Sequence, residues 1–517
     1  MGSQGSKQAM DNINTLLGSR AGVLELVFSM LPLRDLKNVL LVCQLWRETA
    51  APLLWARRDL WVTWENITAV VEALGDGRRL GAVSKISTRK VSDNLLEAMA
   101  RQPELRSVDM INCGLCTNQS WVKPELLART VIGLQEVKMI HSRISKQQAE
   151  AILRAVCAGA PRLKIVTMQS CDLSSLDAEL LARGMTNLRK VNICRTELTK
   201  QQMEEILTAI STGQSQLQYL DISQNNLSSV EPNILAKATS SLKEANIRHT
   251  QLTNHQSNAV FIALSAAHSQ LKNLNVECNN LSLVEPAILA RAVTGLENVN
   301  MSETQLTDQQ MKAICIKMDD NHSHLTNLDI QNNDLSLVEP NIFAKAVNNL
   351  QEVKIPFPYL TNQQIKAILT VISAGHSQLK NLDMNFASLS LVEPSLLAGA
   401  VTSLEDVGMA GTELTHQQLE AILITICSGA SRLKTLNLSS IPLSRVEAGL
   451  LARAASCLEE VYLMYTELSQ LQAEAILAES LIKTSLRRLN ISHCGLNYDF
   501  LVAGKRLVER SFTVYIE

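Results

Sequence analysis

Aromatic residues are scarce in this 517-residue chain, with Phe, Trp and Tyr together making up 3% of it. The position of each ring is therefore informative. Charge of either sign is not in excess: 48 Lys and Arg face 50 Asp and Glu, for a net charge of −2. That balance gives no overall basic field, so nucleic acid is not expected as a partner. No apolar run approaches the ~18 residues needed to span a bilayer. Residues 1–14 are polar, so no secretory signal is expected. The 11 cysteines are an odd number scattered along the chain, which suits a reduced, intracellular compartment better than a disulfide framework. Cys113 and Cys116 make one C-x-x-C, and a structural role is expected for it. There is no phosphate-binding loop and no dinucleotide fingerprint. The nine histidines are spread out without a paired nucleophile or base. No catalytic residue, metal site or cofactor is expected, and the chain reads as a non-enzyme.

What the sequence does have is repetition. Residues 271–324 contain one phrase twice, L-x-x-L-x-[apolar]-x-x-[N/T]-x-L followed by a helical pattern. Leu271, Leu274, Val276, Asn279 and Leu281 carry it first; Leu296, Val299, Met301, Thr304 and Leu306 carry it second. Units of the first kind start at Leu105, Leu163, Leu217, Leu271, Leu325, Leu379, Leu433 and Leu486. Those of the second kind start at Leu134, Leu188, Leu242, Leu296, Leu350, Leu404 and Leu458, each 54 residues after the last. An earlier unit starts at Leu80, and the Leu105 unit carries four extra residues around Trp121. The alternating core of each phrase predicts a short strand with one buried face. Met311, Ile314, Cys315 and Met318 fall on one face of a helix. Thr307 with Gln310 predicts a capping box, as do Thr199/Gln202, Thr253/Gln256, Thr361/Gln364 and Thr415/Gln418. In the first kind of unit, Glu285–Pro286 puts proline in the first helical turn. One strand and one helix cannot bury their own apolar faces, but stacked neighbours can. The polar position, filled by Asn225, Asn279 and Asn333 in one series and by Thr196, Thr250 and Thr304 in the other, is expected to form a buried hydrogen-bonding column. On these motifs the chain resembles the leucine-rich-repeat proteins, with long alternating units like those of the ribonuclease-inhibitor class. The resemblance implies an α/β solenoid with a parallel β-sheet on the concave face and helices outside.

Residues 21–58 break the repeat. Leu24, Val27, Phe28 and Leu31 share a helical spacing, and the phrases FSMLPLRDL, LLVCQLWR and LLW follow in order. Together they resemble an F-box, a small all-α helical module. The resemblance implies docking onto a Skp-type adaptor of a cullin complex through Leu31, Pro32, Leu36, Leu41, Val42, Cys43, Trp46 and Trp55. Ser19 and Arg20 stand where an F-box opens with Leu-Pro. The expected organisation is a polar tail at 1–20, the F-box-like module at 21–58, transition and degenerate repeats at 59–104, the solenoid at 105–496 and a C-terminal cap at 497–517. In that cap a closing helix precedes a terminal strand through Phe512, Val514 and Ile516. Gly2 with Ser6 fits the M-G-x-x-x-[S/T] pattern of N-myristoylation substrates. Membrane contact is expected only if Gly2 is lipidated, and one acyl chain holds weakly.

The residue four after the starting leucine is monotonous through much of the series: Asp221, Asn246, Asn275, Asn300, Asp329, Asp383 and Asn437. The residues six and seven after it are diverse. Among them, Phe357 and Phe386 take corresponding places with Tyr359 nearby, and Tyr465 sits with Tyr462 in the unit at Leu458. Arg195, Arg248 and His249 form a basic group. These eight residues are the expected substrate-binding set, since rings exposed in a groove serve as interface anchors. The combined expectation is the substrate-recognition subunit of an SCF-type ubiquitin ligase, a cytoplasmic or nuclear monomer within a hetero-complex, holding a protein substrate. The alternative is a leucine-rich-repeat interaction or inhibitor protein whose N-terminal helices only cap the solenoid.

Overall fold

The computed structural model describes residues 59–63, 67–75, 83–113, 116–117, 120–159, 162–213, 215–319, 323–355, 360–375, 377–482, 485–496 and 513–515. Gly2, the F-box-like module, Phe357, Tyr359 and the expected closing helix lie outside the described residues. The chain divides into two compact units, Met1–Asn246 and Ile247–Glu517.

In the first unit, parallel strands run in sequence order from Asp59–Val62 to Glu244–Asn246. In the second they run from Asn273–Asn275 to Arg488–Asn490, and Thr513–Tyr515 pairs in parallel on the end. A helix separates most successive strands, as the repeat demands. The extra residues of the Leu105 unit form a small antiparallel pair, Cys116–Thr117 with Ser120–Trp121. Register follows the repeat, so Leu274 faces Val299 and Leu328 faces Val353.

The phrase leucines make the core. Leu173, Leu227, Leu281, Leu335, Leu389 and Leu443 recur every 54 residues, and each is 0% exposed. Burying one such side chain stabilises the fold by about 1.5–3 kcal/mol. Met311, Ile314, Cys315 and Met318 all point inward from the helix Asp308–Met318. Several of the long helices end at a glycine in the left-handed region, with φ of +77° at Gly213, +81° at Gly375 and +76° at Gly429, where a side chain would be strained.

Two buried polar ladders join neighbours. In the first, Asn225 Oδ1 accepts from the Thr196 backbone N–H at 3.0 Å, while Nδ2 donates to Ile193 O at 2.8 Å. Asn279 and Asn333 reach back to Thr250 and Thr304 in the same way. The shorter threonines bond within their own turns, Thr196 Oγ1 to Ile193 O and Thr304 Oγ1 to Met301 O. Asparagine thus links one unit to the one before it, and threonine closes its own turn while its hydroxyl lies 3.2–3.5 Å from the asparagine of the next unit. Cysteine fills the same column at Cys171 and Cys494, where each thiol lies against carbonyl oxygens, Ser142 O at 3.1 Å and Leu463 O at 2.9 Å.

The second ladder lies under the helix caps. The expected boxes are present, with Thr307 Oγ1 accepting from Gln310 N and Gln310 Oε1 accepting from Thr307 N. The glutamine also has a second role. Its Nε2 donates to two carbonyls of the preceding unit, Leu281 O and Val284 O, both at 2.7 Å. Gln202, Gln364, Gln418 and Gln472 repeat this arrangement. These glutamines are 0–2% exposed. Without them, carbonyls at the preceding turn would be buried and unpaired, at roughly 1–3 kcal/mol each. Gln364→Ala should therefore lower stability by roughly 3 kcal/mol or more, through lost carbonyl bonds and a lost cap. The exposed neighbour Gln363, changed to alanine, should cost less than about 0.5 kcal/mol. Urea-unfolding midpoints compare the two, and equal shifts would contradict the stapling role.

Candidate functional site

The strand side of the repeats holds the expected binding residues, and its pattern follows from how each strand ends. Four residues after the starting leucine, an Asn or Asp side chain turns back onto the main chain. Asn192, Asp221, Asn275, Asn300, Asp329, Asp383, Asn437 and Asn490 each accept from the backbone N–H two residues on, at 2.9–3.2 Å. This side-chain turn stops the strand. The monotony of the position is thus structural.

Three residues further on, the backbone enters the left-handed region at one residue after another: Arg195 (φ +55°), His249 (+53°), Glu303 (+56°), Phe386 (+62°) and Tyr465 (+59°). Such a conformation costs roughly 1–2 kcal/mol for a side chain other than glycine. It is held because each N–H donates to the next unit. Arg195 N bonds Ser223 O at 3.0 Å, His249 N bonds Glu277 O at 2.8 Å and Phe386 N bonds Ala410 O at 2.8 Å. The turn directs these side chains to the rim at the strand ends, where the core does not select them.

Among the expected residues, Phe386 is 69% and Tyr465 57% exposed. The Phe386 ring lies over Gly411, where an added Cβ would come within 2.6 Å of its Cδ1. Tyr465 stacks on His493 with centroids 4.6 Å apart. Phe386 and Tyr465 occupy the same rim, with Gly411 and Ser440 at the intervening positions. Tyr462 differs: its hydroxyl donates to Glu460 at 2.7 Å and lies 3.1 Å from Arg488. Burial first raises the Tyr462 pKa. Arg195 is exposed in the first unit, beside a polar depression that it lines with His141, Arg143 and Glu197. Arg248, in the second, is paired with Glu277 at 3.1 Å, and His249 is exposed next to it. Phe386→Ala with Tyr465→Ala removes rings that no core site requires. The double variant should keep its thermal melt within a few degrees while losing most protein partners in a quantitative interactome. A collapsed melt would assign the rings to the core.

A groove of about 420 Å³ lies on the strand side of the second unit, and sequence reasoning did not find it. Its floor is strand backbone at Val353, Leu382 and Val407, whose side chains are buried in the core, and Tyr462 and Met464 stand at one end. It opens where Gly408 replaces the usual Asn or Asp. Without that acceptor, Asn385 Oδ1 receives the Ala410 N–H at 2.7 Å instead. A glycine among asparagines at one register was the only signal available.

The buried cysteines serve packing. Burial pushes the thiols of Cys113 and Cys315 up to about 12, and that of Cys171 up to about 11, so all three stay protonated at neutral pH. Glu277, Cys278 and Glu303 approach one another within 4.8 Å. Their carboxylates already face Arg248 and Asn332. Among the described residues no helix is long and apolar enough to cross a membrane.

Comparison with known proteins agrees with this architecture. The F-box-like family model matches residues 22–61, and the Leucine Rich Repeat model matches residues 216–238. No curated protein matches the sequence. One similar solved structure is titled as the crystal structure of a TLR13–ssRNA13 complex. It is 12% identical, with a TM-score of 0.44, and the match covers 86% of this chain and 72% of that one. With its strand–helix repeats, its buried leucine and asparagine ladders and these two matches, the chain combines an F-box-like segment with a leucine-rich-repeat solenoid.

Proposed function

We propose that this protein is the substrate-recognition subunit of an SCF-type cullin ubiquitin ligase. The observation that carries the reading is the F-box-like match at 22–61 on the same chain as a solenoid with exposed rings along its rim. F-box-like and leucine-rich-repeat modules are interaction modules, typically without catalytic chemistry of their own. The F-box-like module docks on a Skp-type adaptor through Leu31, Pro32, Leu36, Leu41, Val42, Cys43, Trp46 and Trp55. The strand side of the repeats holds a protein substrate, with Phe386, Tyr462 and Tyr465 as contacts and Phe357, Tyr359, Arg195, Arg248 and His249 as further candidates. Ubiquitin transfer is then a matter of proximity. A substrate lysine held near a charged conjugating enzyme meets it at a raised effective concentration. No cofactor is needed. The working location is cytoplasmic or nuclear, with membrane contact only if Gly2 carries an acyl chain.

One observation favours the second reading, a plain leucine-rich-repeat interaction or inhibitor protein. Ser19 and Arg20 replace the Leu-Pro with which an F-box opens. The two readings separate at the adaptor. Trp46→Ala, or Leu31→Ala with Pro32→Ala, should abolish co-purification of the adaptor while the solenoid's urea midpoint stays unchanged. Undiminished adaptor recovery in both variants would remove the F-box assignment and leave the second reading.

A further inference from the structure

The groove over Gly408 combines an open backbone floor, acidic walls and an apolar end. Its floor is the strand backbone at Val353, Leu382 and Val407, whose side chains are buried in the core, and its apolar side chains are those of Tyr462 and Met464. Its walls are acidic: Glu352, Asp383 and Asp406 line it, and among the described residues none of the three has a cation partner. The one lining cation, Lys354, is drawn toward Asp329 at 3.6 Å. Tyr462 and Met464 close one end, and Tyr462 is held in place through its hydroxyl. The space itself exists because Gly408 has no side chain. An added Cβ would lie 2.8 Å from Asp383 Oδ1 and 3.0 Å from Asn385 Oδ1.

We propose that this groove receives a lysine or arginine side chain from a basic segment of the protein partner. The chemistry selects the occupant. A long cationic side chain has an apolar stem and a charged head, matching the Tyr462 and Met464 side chains beside the carboxylates of Glu352, Asp383 and Asp406. A tyrosine ring edging the site adds attraction for the cation when its face is presented. An acidic peptide would face like charge, and a purely apolar one would strand the carboxylates. The groove thereby gives the substrate-binding reading a substrate class, and it rests on that reading.

Titration of the full chain, labelled at its methionine methyls, with a trilysine amide peptide tests this by NMR. The Met464 methyl signal should move saturably with trilysine and stay fixed with triglutamate. Gly408→Asn fills the recess with the residue that Asn300 and Asn437 show is accepted at this register, and it should abolish the shift. Glu352→Gln with Asp406→Asn preserves the shape and should weaken trilysine binding about tenfold, which keeps the test decisive if Gly408→Asn folds poorly. An unmoved Met464 signal, an equal response to triglutamate, or an undiminished response in the folded variants would overturn the proposal. The interactome separates the two levels. If Gly408→Asn keeps partners that Phe386→Ala with Tyr465→Ala loses, the rim reading stands and the groove inference fails. If neither variant loses partners, the rim reading itself fails.

Discussion

A buried glutamine amide that serves several backbone groups at once allows one repeat to sit on the next. Its oxygen closes the N-terminus of its own helix, and its nitrogen satisfies two carbonyls of the unit before, as Gln310 does with Leu281 and Val284. The leucine columns supply most of the burial, but burial alone sets no register along the stack. The glutamine does, because it fits only when the helix cap and the preceding turn are both in place. The asparagine column adds a second link near the strand ends, from Asn225, Asn279 and Asn333. A solenoid gains stability largely from such nearest-neighbour interfaces. A surface laid across several units keeps its geometry through them.

The ladders account for which surface is free to recognise a partner. Side chains at the Asn and Asp position are used by the strand-ending turn, and the inward faces of the helices are used by packing. On the strand side there remain the rim, where a left-handed residue in one unit after another directs its side chain outward, and the groove left by Gly408. Diversity at the rim then has a physical meaning. The conformation there is fixed by a backbone hydrogen bond to the next unit, so the side chain can vary without loss of fold.

The fold was highly legible in the sequence. The spacing of Leu217, Leu271 and Leu325 defined the strands, and Thr307 with Gln310 defined a helix start. The buried column through Asn225, Asn279 and Asn333 was legible too, because a polar residue at a fixed place among leucines has to be satisfied. The long-range half of the glutamine's role was not, since its partners lie 26 and 29 residues back and the capping box already explained its presence. The site was read less completely. Phe386 and Tyr465 stood out because rings are rare, and both are exposed. Tyr462 shared their signature, yet its hydroxyl is held by Glu460 and Arg488, a pairing that depends on neighbouring strands. Arg248 read as part of a basic group, and its pairing with Glu277 escaped the sequence because Glu277 lies in the next unit. The groove escaped notice because it is made by an atom that is absent.

In the proposed function the work divides between two parts of one chain, an adaptor-binding module at 21–58 and a substrate-holding rim on the repeats. The most direct measurement is affinity purification followed by quantitative mass spectrometry, with the full chain and with a chain lacking residues 1–58. The account predicts that the truncated chain loses the Skp-type adaptor and the cullin while still recovering its other protein partners. Adaptor and cullin recovered equally from both chains would contradict it.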